Sequence, residues 1–406
     1  MTEVEILRLA AGGDGVGKLP DGRTVFVPRT APGDLVEITT LREHKRFARA
    51  RLDRVVRASA HRVAPRCPHY VRDDCGGCQL QHIDAEAQLA ARRTFVGDAL
   101  RRIAKREVDD PLIVPAGRTY DYRTKITLHA DPGGRQIGLH QYARADRIFD
   151  LEWCHITVPA LMDVWQAVRA LRRLLPSHLE QVVLRLDRAG GRHLVIRVGE
   201  GEVWSGADRL WREMDRRGAP ATLWYQPYGG VARAVAGGTE AFPATVFEQV
   251  HPEMGDRVRD FAIAQLGDVT GRKVWDLYAG IGETTILLLA RGAQVESVEV
   301  DRHAVAEAER RGPPARRYSG RVEDLLPELK RPQLVVTNPP RTGMDERVTS
   351  GLERVRPDRL VYISCNPATL ARDLQRLVSF RLVLVHSFDL FPQTTHVETV
   401  AVLELA

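Results

Sequence analysis

The five cysteines of the chain fall into two unlike sets. Cys67, Cys75 and Cys78 gather in "CPHYVRDDCGGC", and Cys154 follows far downstream in "FDLEWCHI". Four such thiolates can bind zinc or an iron–sulfur cluster, and spacing alone does not separate the two. His69, His82 and His155 are also placed to complete a zinc site. Cys365 stands apart. It ends the apolar run "RLVYISC", and "NPATLARDL" follows at once, with Pro367 suited to the first turn of a helix. A lone cysteine is most often buried packing. At the start of a helix, however, a thiol's pKa is lowered and the thiolate becomes a nucleophile.

A second constellation lies earlier. "VWDLYAGIGETTILLLA" reads as a strand, a glycine turn and a helix, with Asp276 near the strand end. Gly280 and Gly282 allow a tight turn and close approach of a ligand to the backbone. Glu299 ends the next strand, in "SVEVD", where an acid can bind the two ribose hydroxyls of an adenosine group. "AGIGE" lacks the G-x-G-x-x-G spacing of a pyrophosphate cradle, so S-adenosylmethionine, which carries no phosphate, is the expected ligand. "VVTNPPRTGMD" follows a fourth strand. Its prolines stiffen the mouth of the site, and Asn338 offers an amide to the cofactor or to a target group. Asn-Pro-Pro before an aromatic residue marks enzymes that methylate exocyclic amines, but Arg341 stands in that place here.

A thiol beside a methyl donor suits one problem well. C5 of uracil is a poor nucleophile until a thiolate adds at C6 and makes an enolate. After methylation a base must remove the C5 proton. That chemistry needs a thiol and a general base on opposite sides of one ring. "FPQTTHVETVAVLEL" supplies His396 and Glu398, of which Glu398 is the expected base.

The elements that must position these residues read in three parts. Residues 1–57 alternate short strands with the turns "LPDGRT" and "APGD", which fits an OB-like barrel. The cluster "AGGDGVGK" there reads as a bulged turn. Residues 58–244 hold the cysteine loop, helices and a largely antiparallel sheet, an α+β arrangement. From 245 to 406, strands alternate with helices, the rhythm of a doubly wound α/β sheet whose ligands sit at the strands' carboxyl ends. The 406 residues are 44% hydrophobic, yet no run reaches the ~20 apolar residues of a membrane span. The acidic, glycine-broken start is no signal peptide, and an odd cysteine count argues against a disulfide framework, so a cytoplasmic protein is expected. Net charge is +6, and residues 41–66 carry nine Lys/Arg against two acids. Such a stretch suits phosphate contacts, and Arg123 and Lys125 are further candidates.

Together "DLYAGIGETT", "NPPRTGMD", "YISCNPATLARDL" and "FPQTTHVETVAVL" resemble the RNA uracil-C5 methyltransferases, which make 5-methyluridine in tRNA and 23S ribosomal RNA. "GVGKLPDGRTVFVPRTAPGDLVEI" is similar to their N-terminal TRAM barrel. The resemblance implies Cys365 as nucleophile, Glu398 as proton acceptor, and S-adenosylmethionine contacts at Gln249, Tyr278, Glu283, Glu299 and Asn338. Asp276, Gly280 and Gly282 complete the cofactor set. It also implies a 4Fe–4S cluster on Cys67, Cys75, Cys78 and Cys154, with zinc as the alternative. Since the tRNA members generally lack that cluster, the expected partner is structured 23S ribosomal RNA with a flipped uridine, bound by a monomer. Two departures stand out: Asn338 replaces the family's usual Asp, and the first cysteine gap is seven residues instead of five. Alternatives are a tRNA uracil-C5 methyltransferase, a base-amine methyltransferase using Asn338-Pro-Pro, and a non-catalytic RNA-binding protein.

Overall fold

The computed structural model describes residues 2–199, 204–238 and 246–406. Among them the strands form three sheets. The first is a closed barrel of β1 (Thr2–Leu9), β2 (Gly15–Lys18), β3 (Thr24–Val27), β4 (Leu35–Glu43) and β5 (Phe47–Arg57), in the order β1-β2-β3-β5-β4. Alternate apolar residues point inward: Val4 and Ile6, Val25 and Val27, Val36 and Ile38, Ala48 and Ala50. The glycines of β2 serve packing. A Cβ at Gly15 would lie 2.0 Å from Thr30 Oγ1, and one at Gly17 would lie 2.3 Å from Val4 Cγ1. The pairing register of β1 shifts opposite them, between Ile6 and Arg8.

Beyond the barrel come α1 (Pro68–Arg72), α2 (Ala85–Arg102) and the short β6 (Leu112–Val114). Asp84 caps α2, accepting a hydrogen bond from the Ala87 amide at 2.8 Å. The second sheet contains β7 (Lys125–Ala130), β8 (Ile137–Gln141), β9 (Arg144–Asp150), β10 (Leu179–Leu186), β11 (Arg192–Val198), β12 (Thr222–Pro227) and β13 (Arg233–Ala236). Its order is β13-β12-β11-β10-β7-β8-β9, and only the β11–β12 pairing is parallel. Helices α3 (Pro159–Ala170) and α4 (Ala207–Arg216) pack against it.

The third sheet holds β14 (Lys273–Leu277), β15 (Gln294–Glu299), β16 (Arg316–Ser319), β17 (Leu334–Thr337), β18 (Arg359–Ser364), β19 (Phe380–Phe388) and β20 (Glu398–Leu405). The helices of this part are α5 (Pro252–Ala264), α6 (Glu283–Ala290), α7 (Arg302–Arg311), α8 (Val322–Leu325), α9 (Glu346–Val355) and α10 (Pro367–Arg376). The sheet order is β16-β15-β14-β17-β18-β20-β19-β6. Both faces are covered: in β18, Leu360 and Tyr362 join one core while Val361 and Ile363 join another. Chain order reverses at β14, where β15 lies on one side and β17 on the other. That opens a crevice at the strands' carboxyl ends.

The stretch 58–244 does not remain within the middle sheet. β6 pairs in parallel with β19, and α2 packs on α10, placing Val96 and Leu100 in a core of the third sheet. A three-residue strand has no periodicity to read, and its partner lies far along the chain. The expected boundary between 244 and 245 lies outside the described residues.

One buried ion pair ties α2 to the turn after β19. Arg92, fully buried, reaches Asp389 at 3.1 Å. Burial holds the Arg92 pKa below its usual value and raises that of Asp389, and each charge offsets the shift of the other. Removing one partner leaves the other charge stranded. Arg92→Met is therefore expected to cost about 3–5 kcal/mol in urea unfolding followed by tryptophan fluorescence. A loss below about 1 kcal/mol would show that the pair does not hold α2 to the sheet.

Candidate active site

A single strand register brings the two chemical groups together. β18 and β20 are antiparallel with Ser364 opposite Thr399. The next step along each strand sets Cys365 beside Glu398. On the other side β17 runs parallel to β18 with Thr337 opposite Tyr362, so Asn338 leaves β17 beside Ile363, two residues before Cys365. Cys365, Glu398 and Asn338 line one cavity of about 1190 Å³, together with Gln249, Asp276, Tyr278, Gly280, Glu283 and Glu299. Every catalytic and cofactor residue expected from the sequence except Gly282 lines it. Gly282 sits at the amino end of α6 just behind that wall.

The cofactor side is built around the turn after β14. Tyr278, Gly280 and Gly282 have φ of 61°, 57° and 78°, a left-handed conformation that glycine adopts freely and tyrosine does not. Glu299 braces this turn. Its Oε2 accepts from the Gly280 amide at 2.9 Å and its Oε1 from the Asp301 amide at 2.8 Å. Each oxygen keeps a lone pair for a ribose hydroxyl. Asp276 is buried and accepts from Thr285 Oγ1 at 2.6 Å, while burial pushes its pKa to about 6. Glu283 lines the cavity but is already engaged by two cations, Arg259 and Arg188, the latter at 2.9 Å.

The chemical side is short of charge. Glu398 is 1% exposed, and its Oε2 has no hydrogen-bond partner. Burial alone raises its pKa to about 8. Cys365 departs from the sequence expectation of a thiolate stabilised by a helix start. Its thiol is pushed up to about 11, first by burial and then by Glu398, with Arg341 opposing both. Cys365 lies just before the helix, and Asn366 is the residue that caps α10, accepting from the Ala368 amide at 3.1 Å. His396 is driven the other way, to about 4, by burial and by Arg341, which lies 2.6 Å from its Nε2.

Arg341 is the functional residue that sequence reasoning passed over, since it was weighed only as the wrong neighbour for an amine methylase. Its carbonyl accepts from Asn366 Nδ2 at 3.1 Å and Thr369 Oγ1 at 3.2 Å, which fixes the Asn-Pro-Pro-Arg turn to the start of α10. The usable signal was the cation itself, in the turn after β17 that comes to line one cavity with Cys365.

The four other cysteines are buried, unbridged, and line a second cavity of about 320 Å³ with Lys125 and His155. Burial and the nearness of the other sulfurs push Cys67 upward and Cys75 to about 12. A metal centre held here would have to displace those protons. Among the described residues no group of three or more His, Cys, Asp or Glu is close enough to hold a single metal ion. His69 and His82 are already paired, with Asp73 at 2.6 Å and Tyr70 at 2.6 Å. Lys125 is half-buried in this cavity instead of lying on an RNA-facing surface, and Arg123 lines both cavities. The basic stretch is exposed: Arg42, Lys45, Arg46 and Arg57 form no ion pair among the described residues.

The sequence profile described as tRNA (uracil-5-)-methyltransferase matches residues 315–405, and that of the TRAM domain matches residues 2–52. An uncharacterized RNA methyltransferase of Gloeobacter violaceus is 34% identical, over 99% of this chain and 96% of its own length. The 23S rRNA (uracil(1939)-C(5))-methyltransferase of Halomonas elongata is 32% identical, over 99% and 89%. That of Thiobacillus denitrificans is 30% identical over 99% of both chains. In fold, the chain is similar to the Pyrococcus abyssi tRNA (uracil-54, C5)-methyltransferase in complex with S-adenosyl-L-homocysteine, with a TM-score of 0.75, 23% identity and coverage of 98% and 99%. Among the described residues no helix is long and apolar enough to cross a membrane.

The environment of Glu398 has a consequence that needs no substrate. Unfolded, its carboxyl ionises near the ordinary 4.5; folded, it does so at about 8. The folded state therefore keeps a proton that the unfolded state releases between those values, and stability falls as pH rises across the window. Glu398→Gln removes this ionisation. Its melting temperature is expected to match wild type near the ordinary glutamate pKa and to exceed it above the folded-state value. A difference that does not change with pH would mean that Glu398 is not desolvated as described.

Proposed function

Since the chain belongs to the RNA uracil-C5 methyltransferase family, we propose that it makes 5-methyluridine in 23S ribosomal RNA, with Cys365 as nucleophile and Glu398 as proton acceptor. The observation that carries the mechanism is the juxtaposition of those two side chains, one strand apart, in the cavity that also holds the cofactor residues. The ribosomal target is supported by likeness, over nearly the whole chain, to two enzymes named for that substrate.

In this reading Gln249, Asp276, Tyr278, Gly280, Gly282, Glu283, Glu299 and Asn338 surround S-adenosylmethionine, which supplies an electrophilic methyl group when bound. Glu299 takes the ribose hydroxyls. Asn338 offers a neutral amide where the family usually has a carboxylate. Arg341 favours the Cys365 thiolate, which forms a bond to uracil C6 as the C5=C6 electron pair moves out to the carbonyl. C5, now nucleophilic, receives the methyl group as the methyl–sulfur bond breaks and its electron pair stays on the donor's sulfur. Glu398 then takes the C5 proton. The C5–H electron pair re-forms the double bond, the C6–S bond breaks, and its electrons return to sulfur. A carboxyl with a pKa near 8 is a strong enough base for that transfer yet is partly ionised at neutral pH.

The uridine must leave its stack to reach Cys365, at an expense of a few kcal/mol. The barrel of residues 1–57, the exposed arginines after it and the middle part up to residue 244 would offset this by gripping phosphates and 2′-hydroxyls. The catalytic part would begin at residue 245. Cys67, Cys75, Cys78 and Cys154 would hold a 4Fe–4S cluster. One thiolate on each iron spreads the ligands around an inorganic core, wider than a single ion allows, which fits four buried sulfurs around a cavity. The cluster would shape RNA contacts without acting on the base.

RNA carrying 5-fluorouridine tests the chemistry, because fluorine cannot leave as a proton. Wild-type protein with cofactor is expected to form a complex that survives denaturation, and Cys365→Ala none. A wild-type protein that methylates ordinary RNA but forms no adduct would overturn the covalent route. Protein purified without oxygen is expected to carry about four irons and four sulfides per chain. Stoichiometric zinc in their place would overturn the cluster.

A further inference from the structure

The segment that delivers Glu398 is held by the segment that carries the cysteines. Residues 389–397 join β19 to β20 without regular structure. Within them Gln393 has a φ of 69°, and its carbonyl accepts two successive amides, Gln79 at 3.1 Å and Leu80 at 3.0 Å. Those two residues directly follow Cys78. The Gln79 side chain spans the remaining gap. Its Nε2 donates to the carbonyl of Gly76, inside the C-x-x-C turn, at 2.7 Å, and its Oε1 accepts from the Thr395 amide at 3.4 Å. Gln88 reinforces the link, donating to Gln393 Oε1 at 3.0 Å and to the Leu80 carbonyl at 3.0 Å. The register of β20 fixes the Glu398 backbone, but no protein hydrogen bond reaches its Oε2, so the aim of the carboxyl group depends on how the chain enters the strand.

Cys365 owes its place to other elements. It is set by β18 and by the cap of α10, and the cofactor residues by the turns after β14, β15 and β17. None of those contacts passes through Gln79. The cysteine turn is thus bonded directly to the loop that leads into Glu398, whereas it reaches the nucleophile only indirectly, through His396 of that loop and Arg341.

We propose that Gln79 is a positioning residue for Glu398, through which the Cys75–Cys78 turn controls the last step of the reaction. The inference rests on the reading of Glu398 as acceptor. When the turn or Gln79 is disturbed, C6 addition and methyl transfer go forward. The C5 proton then has no aligned base, the C5–H bond stays intact, and the methylated ring remains bonded to Cys365. The state of the cysteine site thus decides whether product leaves.

The experiment follows two labels in one reaction: methyl from labelled S-adenosylmethionine, and tritium at C5 of the target uridine. Wild type is expected to release tritium in step with methyl incorporation. In Gln79→Ala, tritium release should lag methyl incorporation by about ten-fold or more, within what an ångström-scale misplacement of a reacting group costs, and a methylated protein–RNA complex should survive denaturation. Gln79→Glu, which keeps the oxygen that Thr395 bonds but cannot donate to the Gly76 carbonyl, should leave the lag in place, as the link through the cysteine turn requires. Gln88→Ala carries the same test if Gln79→Ala does not fold. Equal slowing of both labels, or unchanged coupling, overturns the proposal. Glu398→Gln is run alongside. If it traps the adduct while the Gln79 and Gln88 variants do not, only the present inference falls. If it releases tritium as wild type does, the acceptor reading itself falls and the inference with it.

Discussion

The pairing of β18 with β20 is the constraint on which the site depends. Both strands are buried on two faces, so a slip of one residue would turn every side chain toward the wrong core. The sheet cannot tolerate that, and the register is therefore rigid. Cys365 and Glu398 inherit this rigidity. Each stands at the end of its strand, where the apolar walls stop and the cavity begins. The antiparallel direction of β20 is what allows it, because a strand entering at the carboxyl end of the parallel set presents its first residue there. In a wholly parallel sheet Glu398 would sit at the opposite edge.

Burial that fixes these groups also keeps them neutral. Burial raises the Glu398 carboxyl to about 8, and burial together with Glu398 raises the Cys365 thiol to about 11. Arg341 is the cation set against this at Cys365, and it adds to the burial that keeps His396 uncharged. The apolar walls at the strand ends thus favour the protonated form of both groups.

The parts of this arrangement differ in how far a reader of the sequence could see them. Local patterns were transparent: the glycine turn of residues 280–282, the alternation of the barrel strands, the strand–helix rhythm after residue 245 and the basic run after the barrel. Each is written in consecutive residues, where periodicity and turn chemistry act. The protonation state of Cys365 was not visible, because it depends on how deeply the strand end is covered, and the helix start that suggested a thiolate is capped by Asn366. Lys125 sits in a run of strand-forming residues and looks like a surface cation, whereas the fold turns it toward four sulfurs. Glu283 was expected at the cofactor, and it lines that cavity. Its partnership with Arg188, from the middle sheet, could only be seen in three dimensions. The same holds for β6, whose three residues carry no signal apart from the strand they join.

That small strand also puts a clock on the chain's assembly. Arg106, between α2 and β6, donates to the carbonyls of Leu377 and Phe380, partners some 271 residues later in the sequence. At about 5–20 residues per second, a ribosome needs roughly 15–55 s to cover that distance. For this interval Val96 and Leu100 of α2, apolar residues destined for the third sheet's core, have nothing of their own to pack against. The barrel and the middle sheet can fold in the meantime, but the catalytic sheet closes only when its last strands emerge and find an edge that was made first. Helix α2 and β6 are thus the waiting half of a joint whose other half is synthesised last, and a nascent chain stalled before α10 would leave the α10-facing side of α2 uncovered.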